Sequence, residues 1–193
     1  MGTNKVRIKK FSVVLLCFFF LMSQSALAWA ANARLTDIIV TNTPNQLLFF
    51  ARIENAFNEK ITEAVQSGVP ATFSFIIKLQ QTRGLWLDKK ITELEVNHTI
   101  QYNNIKETYA VTRSWEKDQP LTTKSFAEAR EHMCKIEGLI LSQMDALNKG
   151  ERYQIKAKAE LDKMTLPFYL HYVLFFLSFW DIETDWHTIY FTY

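Results

Sequence analysis

Glycine and proline are scarce in this sequence, five and four among 193 residues. Beside an aromatic content of 14%, that scarcity excludes collagen-like repeats and low-complexity disorder, which need the opposite balance. Cysteine is scarcer still. Cys17 and Cys134 are the two, too few for a disulfide framework or a cysteine-built zinc site. Gly-x-Ser-x-Gly, His-Glu-x-x-His, the P-loop and Gly-x-Gly-x-x-Gly are all missing, so the chain carries no familiar catalytic signature. The four histidines are scattered, and none stands at a recognised spacing from a nucleophile. No excess of one charge accumulates either, since the formal net charge is +2.

What is present begins at the N-terminus. Lys5, Arg7, Lys9 and Lys10 make a basic start, and Phe11 to Met22 is an uncharged, strongly apolar run. Ala26-Leu27-Ala28 and Ala28-Trp29-Ala30 then offer the small-x-small pattern that signal peptidase cuts. This is the layout of a secretory signal peptide. The run is shorter than the roughly 20 apolar residues of a transmembrane helix. The expectation is a cleaved signal over residues 1–30 and a single exported domain over 31–193, located in the periplasm. The first thirty residues hold four basic groups and no acid, so their removal takes the formal charge from +2 to −2. The precursor's basicity is therefore a targeting feature, and no nucleic-acid partner is expected. Cys134 is left as one buried, unreactive thiol.

The mature chain alternates in the manner of an antiparallel sheet. Leu35–Thr41 and Leu47–Ile53 read as strands around a Thr43-Pro44-Asn45 turn. Asn58 reads as the N-cap of a short helix with Ile61, Ala64 and Val65 on its apolar side, stopped by Gly68 and Pro70. Ala71–Gln81 sets Phe73, Phe75, Ile77 and Leu79 on one face. A hairpin follows with a two-residue turn at Asn103-Asn104, placing Tyr102 opposite Ile105, Val96 opposite Val111, and a packed His98 opposite Tyr109. Ser125 and Glu128 form a capping box. Phe126, Ala129, Met133, Ile136, Ile140, Met144 and Leu147 recur every three or four residues, which predicts one long helix over Ser125–Leu147. Arg152–Asp162 alternates again, with Tyr153, Ile155, Ala157, Ala159 and Leu161 facing inward. The expected fold is α+β, a mainly antiparallel, sandwich-like sheet with one long and one short amphipathic helix.

The tail is unusual. Leu166 to Trp180 contains no acidic residue, lysine or arginine. Three readings stay open: a buried element closing the core, an exposed surface for a protein partner or for peripheral contact with lipid through 166–180, or an uncleaved membrane element. Phe168, Tyr169, Phe175, Phe176, Phe179 and Trp180, with Trp186 beyond them, are the candidate interaction residues. Asp181, Glu183, Asp185 and His187 share one face of an extended chain and are the candidate metal ligands. Neighbouring same-face positions on one strand do not converge on a point, so a solvated acidic face is the plainer reading. The closing aromatic strand also occurs in small outer-membrane barrels.

The Leu47–Glu54 strand, the Gly68-Val69-Pro70 turn, Arg83 with Trp86-Leu87-Asp88, Thr108-Tyr109, Ser125-Phe126, Gly150-Glu151-Arg152-Tyr153, Trp180-Asp181 and Asp185-Trp186 follow one another in an order that resembles the bacterial family called domain of unknown function 4390. The likeness covers about Ala33 to Tyr193. It implies an exported protein of Gram-negative bacteria, with an envelope role and no assigned activity, and it supplies no catalytic residues.

No cofactor and no catalysis are expected. The first functional expectation is an exported envelope protein that docks a protein partner through the tail aromatics or the long helix. The alternatives are a periplasmic carrier or sensor of an apolar ligand with Phe73, Phe75 and Met133 lining its cavity, a metal-dependent hydrolase using the Asp181–His187 cluster, and the small barrel.

Overall fold

A computed structural model describes residues 32–84, 86–116, 120–162 and 182–193. The expected signal peptide and the apolar run 166–180, with Phe168, Tyr169, Phe175, Phe176, Phe179, Trp180 and Asp181, lie outside the described residues.

Among the described residues the alternating segments form nine strands: β1 (Arg34–Asn42), β2 (Gln46–Glu54), β3 (Ala71–Gln81), β4 (Lys89–Asn103), β5 (Thr108–Arg113), β6 (Leu121–Thr123), β7 (Lys135–Gln143), β8 (Arg152–Leu161) and β9 (His187–Thr192). Two helices join them, α1 (Glu59–Gln66) and α2 (Phe126–Met133). The fold is α+β and its ladders are antiparallel throughout. One sheet has the order β1-β2-β7 and the other β6-β5-β4-β3-β8-β9. The described strands therefore make two open sheets and do not close into a barrel.

Period-two patterning explains where the core sits. Leu47, Phe49, Ala51 and Ile53 point one way from β2, while Phe73, Phe75, Ile77 and Leu79 from β3 and Tyr153, Ile155, Ala157, Ala159 and Leu161 from β8 are buried from the larger sheet. These residues and the apolar sides of both helices belong to one core. Helix α1 starts where Asn58 Oδ1 accepts from the Ile61 amide at 2.9 Å, and it buries Ile61, Ala64 and Val65. Gly68 follows at φ +91°, with an ideal Cβ 3.2 Å from the Asn104 side chain. A side chain there meets both backbone strain and crowding.

The long helix expected over Ser125–Leu147 is absent. Helix α2 stops at Met133, strand β7 takes Lys135–Gln143, and a single 3-10 turn occupies Met144–Ala146. Two causes are visible. The carbonyls of His132 and Met133, which a continuing helix would use, accept instead from Arg113 at 2.9 Å and from His98 at 2.7 Å. Gly138 then adopts φ +76°, a conformation incompatible with a helix. The pairing of β2 with β7 slips beside it, between Phe49 and Ala51. Such a bulge inserts one residue into the alternation. Ile136, Leu139 and Leu141 are buried, and the spacing of three across the bulge imitates a helical stripe. Ile140, assigned to that stripe, is on the outside at 45% exposure.

The hairpin also differs. Residues 104–107 form a four-residue loop, with Tyr102 opposite Tyr109, Ile100 opposite Val111 and His98 opposite Arg113. Asn103 Oδ1 accepts from the amides of Ile105 and Lys106, and Glu107 takes φ +51°. The Asn side chain organises a longer loop in place of the tight turn. Ser125 does cap α2, accepting from the Glu128 amide, but the Glu128 carboxylate accepts from the Thr123 hydroxyl and does not complete the box.

Candidate functional site

The ends of β2 and α2 meet at a polar cleft of about 600 Å³. Its lining includes Asp37, Arg52, Asn55, Phe57, Glu131 and Cys134. Arg52 lies on the outward face of β2, because the alternation that buries Ala51 and Ile53 turns it away from the core. Across the cleft, Glu131 stands in the last turn of α2. Two bonds of 2.7 Å join the guanidinium and both carboxylate oxygens. Asp37 adds a third contact, 3.3 Å from Arg52 Nε, and Lys135 approaches Glu131 at 2.5 Å. These cations hold the Glu131 carboxyl down at about 2, chiefly through the hydrogen bonds from Arg52 and then Lys135. In turn the Glu131 carboxylate, and after it Asp37, raise Arg52 above its ordinary value.

Two cleft residues, Asp37 and Asn55, have positive φ, 50° and 56°. Asp and Asn enter that region more easily than other side-chain-bearing residues. At Asp37 the β1–β2 register slips between Thr36 and Ile39, and the bulge turns the carboxylate towards Arg52.

Beside the cleft, the outer face of the small sheet carries an apolar patch. Ile39 lies opposite Phe50, and Leu48 lies opposite Ile140. Ile39 and Ile140 are about half exposed. An apolar centre with an ionic margin is the ordinary anatomy of a protein-binding patch.

Cys134 caps α2 and is buried. Burial pushes its thiol up to about 12, which suppresses the thiolate that nucleophilic chemistry needs. His98 is fully buried between Phe75 and Trp115, with ring centroids 4.6 Å away on either side. Since a carbonyl only accepts, Nδ1–H donates to Met133. Burial lowers its pKa to about 3, which keeps the ring neutral near pH 7, and among the described residues Nε2 has no partner. This histidine is a packed core residue that holds the end of α2.

Of the sequence-derived candidates at 181–187, the described ones, Glu183, Asp185 and His187, do not gather. Glu183 Oε1 accepts from Lys158 Nζ at 2.7 Å, Asp185 is exposed, and His187 sits on β9 opposite Ala157. Among the described residues no group of three His, Cys, Asp or Glu side chains could hold a metal ion. Trp186 packs against the ammonium groups of Lys78 and Lys158, 5.3 and 5.5 Å from its ring centre. Phe73, Phe75 and Met133 are packed within the core and do not line the polar cleft. Sequence reading missed Arg52, Asp37 and Glu131. The one signal available was a charged residue, Arg52, interrupting the apolar run Leu47–Ile53.

The comparisons agree with the motif order. The family model described as Domain of unknown function (DUF4390) matches residues 30–190, and the chain belongs to that family. No curated protein matches, and no solved structure matches.

Proposed function

We propose that this chain is an exported cell-envelope protein that works by binding a protein partner and not by catalysis. The basic, apolar and small-residue order of its first thirty residues supports export. The observation that carries the binding reading is the outer face of the small sheet. Ile39 and Ile140 are exposed there in line with Phe50 and Leu48, beside the Arg52–Glu131 pair. The ion pair gives the patch a fixed polar margin, which favours one docking orientation over others. The raised Cys134 pKa and the neutral, enclosed His98 support a non-catalytic role, since neither is poised for proton or acyl transfer.

Photocrosslinking in growing cells tests this reading, with the crosslinker at position 39 or 140 and the N-terminus of the same preparation sequenced. The expected result is a discrete crosslink to an envelope protein, a mature start near Ala31, and no such product from Thr112, an exposed position on β5. Equal capture from all three positions, or an uncut protein in the cytoplasm, overturns it.

A further inference from the structure

The larger sheet ends in a different kind of surface. In the segment joining β3 to β4, Trp86 is 81% and Leu87 93% exposed. Neither packs into the core cluster. Leaving two adjacent large apolar side chains in water is unfavourable unless something covers them.

Their surroundings identify the cover. Arg83, Lys89 and Lys90 are exposed in the same stretch of chain. The start of β8 brings a second pair of exposed cations, Lys149 and Arg152. The two stretches are tied together, because the Thr82 amide donates to the Arg152 carbonyl at 2.8 Å. Three acids stand nearby. Asp88 accepts from the Arg83 amide and from the Gln154 side chain, and Glu93 is shared by Lys78 and Lys90. Glu151 is the third, and it is exposed. Five cations, Arg83, Lys89, Lys90, Lys149 and Arg152, thus stand against the three acids Asp88, Glu93 and Glu151, a surplus of two positive charges around an apolar tip whose base is pinned to β8. Gln154, itself buried, fastens that base by also donating to Gln80 at 3.0 Å.

A bilayer interface of anionic phospholipid fits this arrangement on both counts. Tryptophan favours the headgroup level, where its ring is half covered by acyl chain. Lysine and arginine at a negative membrane surface each strengthen binding by roughly fivefold. A protein groove would cover the apolar pair equally well, but it would not require a surplus of cations from two adjoining stretches of chain. We propose that the β3–β4 end of this protein is a membrane-contacting tip. Trp86 and Leu87 enter the boundary between headgroups and acyl chains, and the surrounding cations meet lipid phosphates. This inference does not rest on the docking patch of the small sheet, which is built from other strands.

Vesicle flotation of the whole protein provides the test. Two compositions are compared, phosphatidylcholine alone and a 3:1 mixture of phosphatidylcholine with phosphatidylglycerol, each at low and high salt. The expected result is preference for the anionic vesicles, weakened by salt. Trp86→Ser with Leu87→Ser should lower that binding at least tenfold. Arg83→Gln with Lys89→Gln should remove the preference for phosphatidylglycerol. All four positions are exposed, so unchanged melting of both variants keeps the comparison valid. Undiminished binding by the Trp86/Leu87 variant overturns the proposal, because another part of the chain then makes the contact. Failure of the parent protein to float with either vesicle also overturns it. A crosslink from position 86 to a protein, in cells, would assign the tip to a protein partner instead.

Discussion

Arg52 and Glu131, 79 residues apart in the chain, face each other through two parallel hydrogen bonds of 2.7 Å. The pair fastens the end of α2 to the middle strand of the small sheet. Several measurable consequences stem from it and from its neighbours.

Glu131→Gln should lower stability by about 1 kcal/mol, the upper range for a surface pair with good bidentate geometry. Glu131 is 45% exposed, so solvent screens much of its interaction. Its folded pKa lies below its unfolded one. The contribution is therefore present above about pH 4.5 and is lost as pH falls through about 2. Urea denaturation at pH 7 and pH 3 would show it, and an unchanged midpoint at pH 7 would rule it out.

His98 gives a separate pH signature. The unfolded imidazole binds a proton near pH 6.5, and the folded one only near pH 3, because burial opposes the charge. Between these values the unfolded state holds more protons. Stability is complete above pH 6.5 and declines as pH falls, by up to about 1.4 kcal/mol per pH unit. His98→Asn keeps a donor near Met133 and removes the titration. The variant should lose the slope between pH 6.5 and about 5, where the Glu131 contribution is nearly constant. A slope equal to the parent's would disprove the assignment.

At Gly138 the backbone conformation is the constraint, since an added Cβ would meet only the Phe50 ring, at 3.8 Å. Gly138→Ala should cost about 1–2 kcal/mol, and Gly138→Asn less, because asparagine tolerates positive φ better. Thermal melting of both variants would rank them. Alanine melting at or above asparagine contradicts this account of the bulge.

The Cys134 thiol should resist alkylation in the folded protein and react once denaturant is added. Its pKa of about 12 and its burial both protect it. Mass analysis of the labelled peptide distinguishes it from Cys17. Rapid labelling without denaturant would mean that α2 opens readily.

Where local chemistry decides an element, the sequence made it legible. Asn58 named the start of α1, and strict alternation named β3 and β8 to within a residue. The order of motifs named the family. The longer hairpin loop, set by the Asn103 side chain, is a local exception, while the misread helix and the missed site share a cause, which is non-local competition. Helix α2 ends because Arg113 and His98, from other strands, take its last carbonyls. The bulge at Gly138 shifts a strand's period from two to three at one point, and that local spacing is indistinguishable from a helix. The Arg52–Glu131 site was hidden for a related reason. Its partners come from elements far apart in sequence, and no spacing rule links them. The 181–187 cluster was legible as a pattern, yet Glu183 is drawn to Lys158.

The exposed β3–β4 segment divides the chain into two stretches that cannot easily part. Before it lie β2 and β3; after it lie β7, which completes the ladder with β2, and both β4 and β8, which flank β3. A protease cut beside Trp86 would leave two pieces clasped along three ladders and sharing one core. The nicked protein should migrate as one species until denatured. The same break offers a natural seam for building a two-part reporter from this chain, with reassembly driven by the strands themselves.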